Sequence, residues 1–217
     1  MKSCRQSARF KKTVLCGLAA ALGMLPGMAS PAAEPPQPAT WRVALAGFLR
    51  PANTFTQPIP GARETERAAA CVTAEGALRF LNRAEFAALG VDWAAFSTQS
   101  AAAASAELAS LQPEWVRDRN QVIECAILRA KRPLDNVTVA VLAPDFLQRF
   151  RPVFGSKMLV AVPDRGTVFL FPKLASRYQA YGERVLSVYQ KSECPVSREV
   201  FELSATGLRA VGTYEGP

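Results

Sequence analysis

Two uninterrupted apolar runs, at residues 158–162 and 167–171, dominate the pattern of hydrophobic and polar positions. They flank the segment from Pro163 to Gly166, where proline fixes φ and glycine permits a positive φ, which predicts a hairpin turn. Neither run alternates apolar with polar residues, so both faces of the two strands must be covered. The pattern therefore predicts a hairpin at the centre of a sheet.

Upstream of this hairpin, the pattern predicts a short strand at 77–81 followed by two helices. Asn82 is a favourable N-cap for the first helix, with Glu85 three residues later as in a capping box. The second helix begins at Asp92, carries apolar residues at helical spacing and ends before Pro113.

Downstream of these helices, apolar runs at 121–129 and 137–142 predict a second hairpin. Asn136 lies in its turn, since asparagine tolerates a positive φ. A helix that begins at Asp145 follows, and a last hairpin is predicted within 199–211.

A helix predicted from Lys173 to Lys191 separates the central hairpin from the last one. Apolar and aromatic residues recur along it at spacings of three and four, which is typical of one buried face: Leu174, Tyr178, Tyr181, Val185 and Tyr189. The tyrosines could form a binding stripe, but this spacing favours core positions. The succession of elements predicts an α+β fold, an antiparallel-rich mixed sheet built from successive hairpins with helices packed mainly on one face.

The first 29 residues have the pattern of an export signal peptide. Five basic residues precede an apolar run at 13–25, and the small residues in Gly27-Met28-Ala29 suit a signal peptidase. We expect cleavage after Ala29 and a periplasmic or secreted protein. No membrane insertion is expected after cleavage, because the run is shorter than the roughly 20 apolar residues of a span. A retained signal that anchors the chain is the alternative.

Residues 30–67 are predicted to form a proline-rich tether with one accessory strand. Four prolines lie between residues 30 and 40, a strand is predicted at 41–49, and three more prolines within 50–66 indicate a loop. A single α+β domain is therefore predicted for residues 68–217.

The net charge of +8 belongs mostly to the predicted signal, which carries five basic residues and no acidic one, so that +3 remains after cleavage. The other basic residues are scattered among acidic ones and form no cluster that would follow a phosphate backbone. We therefore expect no nucleic-acid partner.

Cys71, Cys125 and Cys194 remain after removal of the signal, and an oxidising compartment permits a disulfide between two of them. The sequence does not select among the three pairs, and buried free thiols are the alternative. No C-x-x-C spacing indicates a redox motif or a zinc site.

The chain contains no histidine, which excludes the usual histidine-based hydrolase mechanisms and the commonest metal ligand. Glycine-rich phosphate loops are also missing from the sequence, and we expect neither a cofactor nor a metal. Asp135 and Asp145 stand in a predicted turn and at a helix start, where aspartate has structural uses.

Asp164 and Arg165, at the tip of the central hairpin, are the candidate binding residues. Arg165 could present its guanidinium group to a carboxylate or phosphate of a partner. The alternative is local, with Asp164 stabilising the turn through its own backbone and Arg165 pairing with a nearby acid.

The sequence from about Ala77 to Gly212 resembles the YtpQ-like family, a bacterial family of unknown function. The sharpest motif is the turn from Ala161 to Arg165. Five segments carry the resemblance: Arg79 to Arg83, Phe86 to Gly90, Leu142 to Asp145, Leu159 to Arg165, and Cys194 to Ser197. The resemblance implies an α+β domain but no activity and no catalytic residue. Family members often lack an export signal, and residues 41–71 match less well.

These observations predict an exported, non-catalytic binding or assembly domain of the bacterial cell envelope, with an envelope protein as its partner. The alternative is a histidine-independent enzyme that uses carboxylates or a serine–lysine pair. Such an enzyme would gather Asp164, Arg165 and a further acid or lysine in one deep cleft.

Overall fold

The computed structural model describes residues 35–131, 136–173 and 177–215. The predicted export signal and the first residues of the predicted tether lie outside the described residues, as do Asp135 and Leu174. In the part of the chain that is described, no helix has both the length and the apolar character needed to cross a bilayer.

The described residues form ten strands and six helices, preceded by a single 3-10 turn at Pro38–Thr40. The strands are β1 (Trp41–Ala46), β2 (Thr56–Pro58), β3 (Glu66–Val72), β4 (Leu78–Phe80), β5 (Pro113–Arg117), β6 (Ile123–Arg129), β7 (Met158–Asp164), β8 (Thr167–Pro172), β9 (Glu199–Ser204) and β10 (Gly207–Thr213). The helices are α1 (Arg83–Ala88), α2 (Trp93–Ser110), α3 (Val137–Ala140), α4 (Phe146–Phe154), α5 (Arg177–Ala180) and α6 (Gly182–Lys191).

The larger sheet has six strands in the order β10-β9-β7-β8-β6-β5. The predicted central hairpin is confirmed as β7 and β8, the two middle strands, and residues 158–163 and 167–171 are all buried. Side chains alternate between the two faces of a strand. Val160 and Leu170 therefore reach one apolar cluster, and Phe169 reaches another.

Helices cover both faces of this sheet, but unequally. Three helices, α2, α3 and α4, contribute buried side chains to the face of Val160, among them Leu108, Val139 and Phe146. On the opposite face lie α6, through Val185, and Tyr214 near the C-terminus. The α+β fold class is confirmed, although every described strand pair is antiparallel and the sheet is not mixed.

A second sheet of four strands contradicts the predicted boundary between residues 67 and 68. β1, β2 and β4 all pair with β3, which begins at Glu66 and spans that boundary. Five of the six residues of β1 are buried, so β1 is a core strand and not an accessory one. The described residues, which begin at Pro35, belong to one compact unit. The sequence does not predict β3, because its three consecutive alanines have a weak strand preference. Pairing and burial override this preference in the structure.

The strand predicted at 137–142 is instead the short helix α3 followed by a turn. Asn136 is its N-cap with φ −123° and ψ 96°, so the positive φ predicted for this residue is also wrong. The partners of β6 are β8 and β5, and β5 starts at Pro113, where the sequence indicated only a helix end. Val137 to Val139 therefore find no free edge on β6, and their strand preference is overridden.

The helix predicted from Lys173 to Lys191 is divided into α5 and α6, which meet at Tyr181. At Gly182, the first residue of α6, an added Cβ would lie 3.2 Å from the ring of Tyr214. Tyr178 and Tyr181 pack against the apolar cluster on this face but stay partly exposed, so they lie at the edge of the core.

The segment around Val196 connects the two sheets. Val196 N and Ser197 N donate hydrogen bonds to the carbonyls of Pro163 (2.8 Å) and Val162 (3.1 Å), where the register of β7 is interrupted. The carbonyl of Val196 also lies against Gly47, directly after β1, where an added Cβ would be 1.8 Å from that oxygen. Only glycine permits this close approach.

A buried polar network stabilises the same junction. The Glu199 carboxylate, in a residue only 2% exposed, accepts a hydrogen bond from Arg63 N at 2.6 Å. Thr65 Oγ1 donates to Ser197 Oγ (2.7 Å), and Ser197 Oγ donates to Glu199 Oε2 (3.5 Å). Buried polar groups need such partners, so the role of this network is structural.

Candidate functional site

The two residues proposed from the sequence, Asp164 and Arg165, are used locally in the structure. Asp164 Oδ1 accepts a hydrogen bond from Gly166 N at 3.0 Å, so the carboxylate stabilises its own turn. The Arg165 guanidinium lies 5.3 Å from the centre of the Phe80 ring, a cation–π contact. Neither residue lines a cavity described below. Their assignment as binding residues stays a prediction.

The other aspartates considered from the sequence do not assemble a carboxylate pair within the described residues. Asp145 precedes α4 but makes no side-chain capping bond. Its Oδ1 instead accepts from Ser105 Oγ at 2.6 Å, which joins α4 to α2. Asp135 lies outside the described residues. No group of three or more acidic or cysteine side chains in the described chain could hold a metal ion.

The disulfide that the sequence permits is not formed in the structure. Cys71 and Cys125 carry free, buried thiols, and every pair among the three candidate cysteines includes at least one of them. Burial raises the pKa of Cys125 to about 12. Burial also raises the pKa of Cys71, against the opposing effect of the neighbouring Arg79.

We expect Cys71 and Cys125 to resist thiol reagents in the native mature chain at pH 8. A raised pKa keeps a thiol protonated, and the thiolate is the reactive form. Titration with an aromatic disulfide reagent should therefore detect at most Cys194 before unfolding, and all three cysteines afterwards without added reductant. Fewer than three thiols in the unreduced, unfolded chain would establish a disulfide instead.

A cavity of about 300 Å³ lies between the smaller sheet, the C-terminal end of α2 and the start of α3. Its wall combines apolar side chains, including Leu78 and Val137, with the polar residues Arg42, Glu107 and Asn136. This mixture of apolar wall and a few polar groups is typical of small-molecule sites.

Asn136 is the most unusual residue of this cavity. Its Oδ1 accepts hydrogen bonds from the backbone N and the hydroxyl group of Thr138, which defines the orientation of the amide. The other end of the amide, Nδ2, is buried and has no partner among the described residues, and the whole residue is only 8% exposed. An unpaired buried donor costs about 1–3 kcal/mol, and this atom has almost no surface that a molecule in the cavity could contact.

Arg42 supplies the second donor group of the cavity. Its Nε donates to Glu107 Oε1 at 2.7 Å, and its Nη1 donates to the carbonyls of Trp41 (2.8 Å) and Ala39 (3.1 Å). These bonds hold the guanidinium in one orientation.

A second cavity, of about 750 Å³, lies beside α6 and the end of β10. Tyr214, which lines it, donates its hydroxyl proton to the carbonyl of Tyr178 at 2.9 Å. Burial raises the pKa of this tyrosine. We assign the candidate site to the smaller cavity, because its wall places the Arg42–Glu107 ion pair and the Asn136 amide among apolar side chains.

The sequence did not identify either donor of this site. Asn136 was explained by its place in a turn, although an asparagine directly before Val-Thr-Val is also compatible with a helix N-cap. In the sequence, Arg42 is a polar position between the apolar residues Trp41 and Val43. Its pairing with Glu107 joins residues that are 65 positions apart, which no local pattern reveals.

No protein-family model matches the chain, and no curated protein or solved structure is significantly similar to it. The resemblance to the YtpQ-like family therefore remains a prediction based on the five segments quoted above.

Proposed function

We propose that this protein is an exported, non-catalytic domain of the bacterial cell envelope that binds a small molecule in the cavity between Arg42 and Asn136. The observation that carries this proposal is the cavity itself, because its wall combines apolar side chains with the polar residues Arg42, Glu107 and Asn136. The amide is held rigidly by Thr138, so the site is organised before the ligand arrives.

Binding without catalysis fits the chemistry of the cavity wall. Arg42 and Asn136 offer hydrogen-bond donors to the cavity wall and no nucleophile. Glu107 is held in an ion pair with Arg42. The wall thus supplies groups that orient a ligand, and the chain has no histidine to act as a general base.

The assignment to the cell envelope rests on the export signal predicted at residues 1–29. An envelope protein that receives the ligand, or that is held by the loaded domain, is the partner we propose. N-terminal sequencing of the protein purified from an envelope fraction is expected to begin at Ser30. A chain that begins at Met1 would contradict cleavage, and recovery in the cytosolic fraction would contradict export.

Fragment screening by NMR tests the binding function directly. We expect fragments of about ten non-hydrogen atoms to shift the side-chain amide signal of Asn136 in the mature chain, since about 300 Å³ equals the liquid volume of roughly ten waters. Val72→Phe places a ring at the cavity wall and should abolish these shifts. Val211→Phe, on an exposed strand position outside the wall, is the matched control and should retain them.

A diverse fragment set that leaves the Asn136 signal unchanged would overturn the binding proposal. The result does not depend on how the variants fold, because it is read on the unmodified sequence. Turnover of any bound fragment by the purified protein would overturn the non-catalytic assignment separately.

A further inference from the structure

We infer that β5 is an interaction surface for a second copy of this chain, so that two copies join edge to edge in one continuous antiparallel sheet. The surface is separate from the small-molecule cavity. β5 has an open edge, its charged side chains have partners within their own chain, and one register suits two copies of it.

The outer edge of β5 is open in the described part of the chain. β5 is the last strand of the six-stranded sheet, and its backbone forms hydrogen bonds to no described residue outside β6. The opposite edge differs, because Ala210 N of β10 donates to the carbonyl of Pro60 at 2.8 Å. An open edge presents N–H and C=O groups that pair readily with another strand. β5 is therefore the edge at which this sheet can be extended.

Charged side chains often protect an open edge, but those of β5 are held by their own chain. The Glu114 carboxylate lies 3.4 Å from Arg129 Nε and 4.0 Å from Arg184 Nη2. Arg117 Nη1 donates to the carbonyl of Gln121 at 2.8 Å, in the turn between β5 and β6. Neither charged group has to give up water contacts at the outer edge without a partner when a second strand arrives.

The middle residue of β5 is an exposed tryptophan. Trp115 is 36% exposed, and the centre of its ring lies 6.1 Å from that of Phe154 and 6.4 Å from that of Phe150. Val153, on the same helix as these two rings, is also exposed. Tryptophan is enriched at the centres of protein interfaces, where its large ring is covered by the partner. An added strand would cover Trp115.

The charges of β5 select one register for two copies. Side chains opposite each other in an antiparallel pair share a face, so the two-fold axis passes through a residue of β5. An axis at Glu114 would bring two carboxylates together, and an axis at Val116 would place Glu114 opposite Asp118. Like charges directly opposite are destabilising. An axis at Trp115 places residues 113–117 of the two copies opposite each other in reverse order and sets no like charges opposite.

Sedimentation velocity of the mature chain under reducing conditions tests the inference. A single strand pair makes a small interface, so we expect a micromolar dissociation constant and use concentrations from about 1 to 200 μM. The weight-average mass should rise from that of a monomer towards that of a dimer. A chain that stays monomeric over this range would overturn the proposal, whatever the behaviour of any variant.

Trp115→Lys places two like charges at the two-fold axis and should abolish the dimer. Val211→Lys adds the same charge at an exposed position of β10 and should leave the dimer intact. Far-UV circular dichroism establishes that each variant is folded. A folded Trp115→Lys variant that still forms the dimer would overturn β5 as the interface, and so would loss of the dimer in Val211→Lys alone.

Trp115→Cys in a Cys194→Ser background measures the register directly, because residue 115 is expected to lie opposite itself. Mild oxidation should join two copies through one disulfide, since the Cα atoms of opposite residues lie about 4.5–5.5 Å apart. The two other thiols, Cys71 and Cys125, are buried. Val211→Cys in the same background is the control and should stay monomeric on a denaturing gel. No cross-link at residue 115, or equal cross-linking of the control, would contradict the proposed pairing.

Discussion

Replacing Gly47 by alanine is expected to lower the free energy of unfolding by about 3 kcal/mol or more, at the upper end of overpacking effects. The new Cβ would lie 1.8 Å from the carbonyl oxygen of Val196 and 2.7 Å from its carbonyl carbon. These are backbone atoms of a segment that is hydrogen-bonded to β7, so they cannot rotate away as a side chain would. Urea denaturation followed by circular dichroism measures the loss.

Gly212→Ala is the matched control for Gly47→Ala. Gly212 lies at the register shift of β10, and a Cβ added there meets nothing within 4 Å. Its effect should stay within about 0.5 kcal/mol, as for other substitutions on an open surface. If both variants lost the same stability, the close approach of Gly47 to Val196 would be refuted as a junction between the sheets.

Replacing Phe169 by alanine is expected to cost about 3–5 kcal/mol, the usual range for a large aromatic side chain removed from a core. Phe169 is fully buried on β8, and its ring is stacked with that of Phe171 at a centroid distance of 6.3 Å. For a chain of this size, the melting temperature should fall by roughly 6–20 °C. Differential scanning calorimetry of the mature chain provides the measurement.

Phe48→Ala is the control for Phe169→Ala, because Phe48 is 75% exposed in the turn after β1. Its melting temperature should stay close to that of the parent protein. A small effect at Phe169, comparable with that at Phe48, would mean that the second face of the central hairpin is open to water. The architecture described above would then be wrong.

The sequence alone could not predict the candidate site, because its residues come from elements that are far apart in the chain. Arg42 belongs to β1, Glu107 to α2, and Asn136 precedes α3. Each of these residues has an ordinary local explanation as a strand, helix or turn residue. Only the packing of the three elements leaves the Asn136 donor buried without a partner.

Two strand predictions failed for a related reason. The segment 137–142 has the composition of a strand, but β6 already has a neighbour on each side, so the segment forms α3 and a turn. The segment 66–72 lacks a strong strand composition, yet it becomes β3 because β1, β2 and β4 pair with it. Strand preference depends on neighbours more than on intrinsic backbone tendency.

The sequence by itself determined the elements whose causes are local. The apolar runs and their turn specified the hairpin of β7 and β8, and the Asn82–Glu85 capping box specified the start of α1, with both of its hydrogen bonds at 2.8 Å. Asp92 likewise caps α2 by accepting from Ala95 N at 2.8 Å. Short-range sterics and hydrogen bonds suffice for these features.

Only the tertiary structure decided that residues 35–67 join the domain, that Cys71 and Cys125 remain free thiols, and that Arg42 and Asn136 share a cavity. Each of these outcomes depends on contacts between residues far apart in the chain. Long-range packing determines which strand edges are free, which thiols come close to each other and which polar groups have a partner. The spacing of neighbouring residues does not predict these properties.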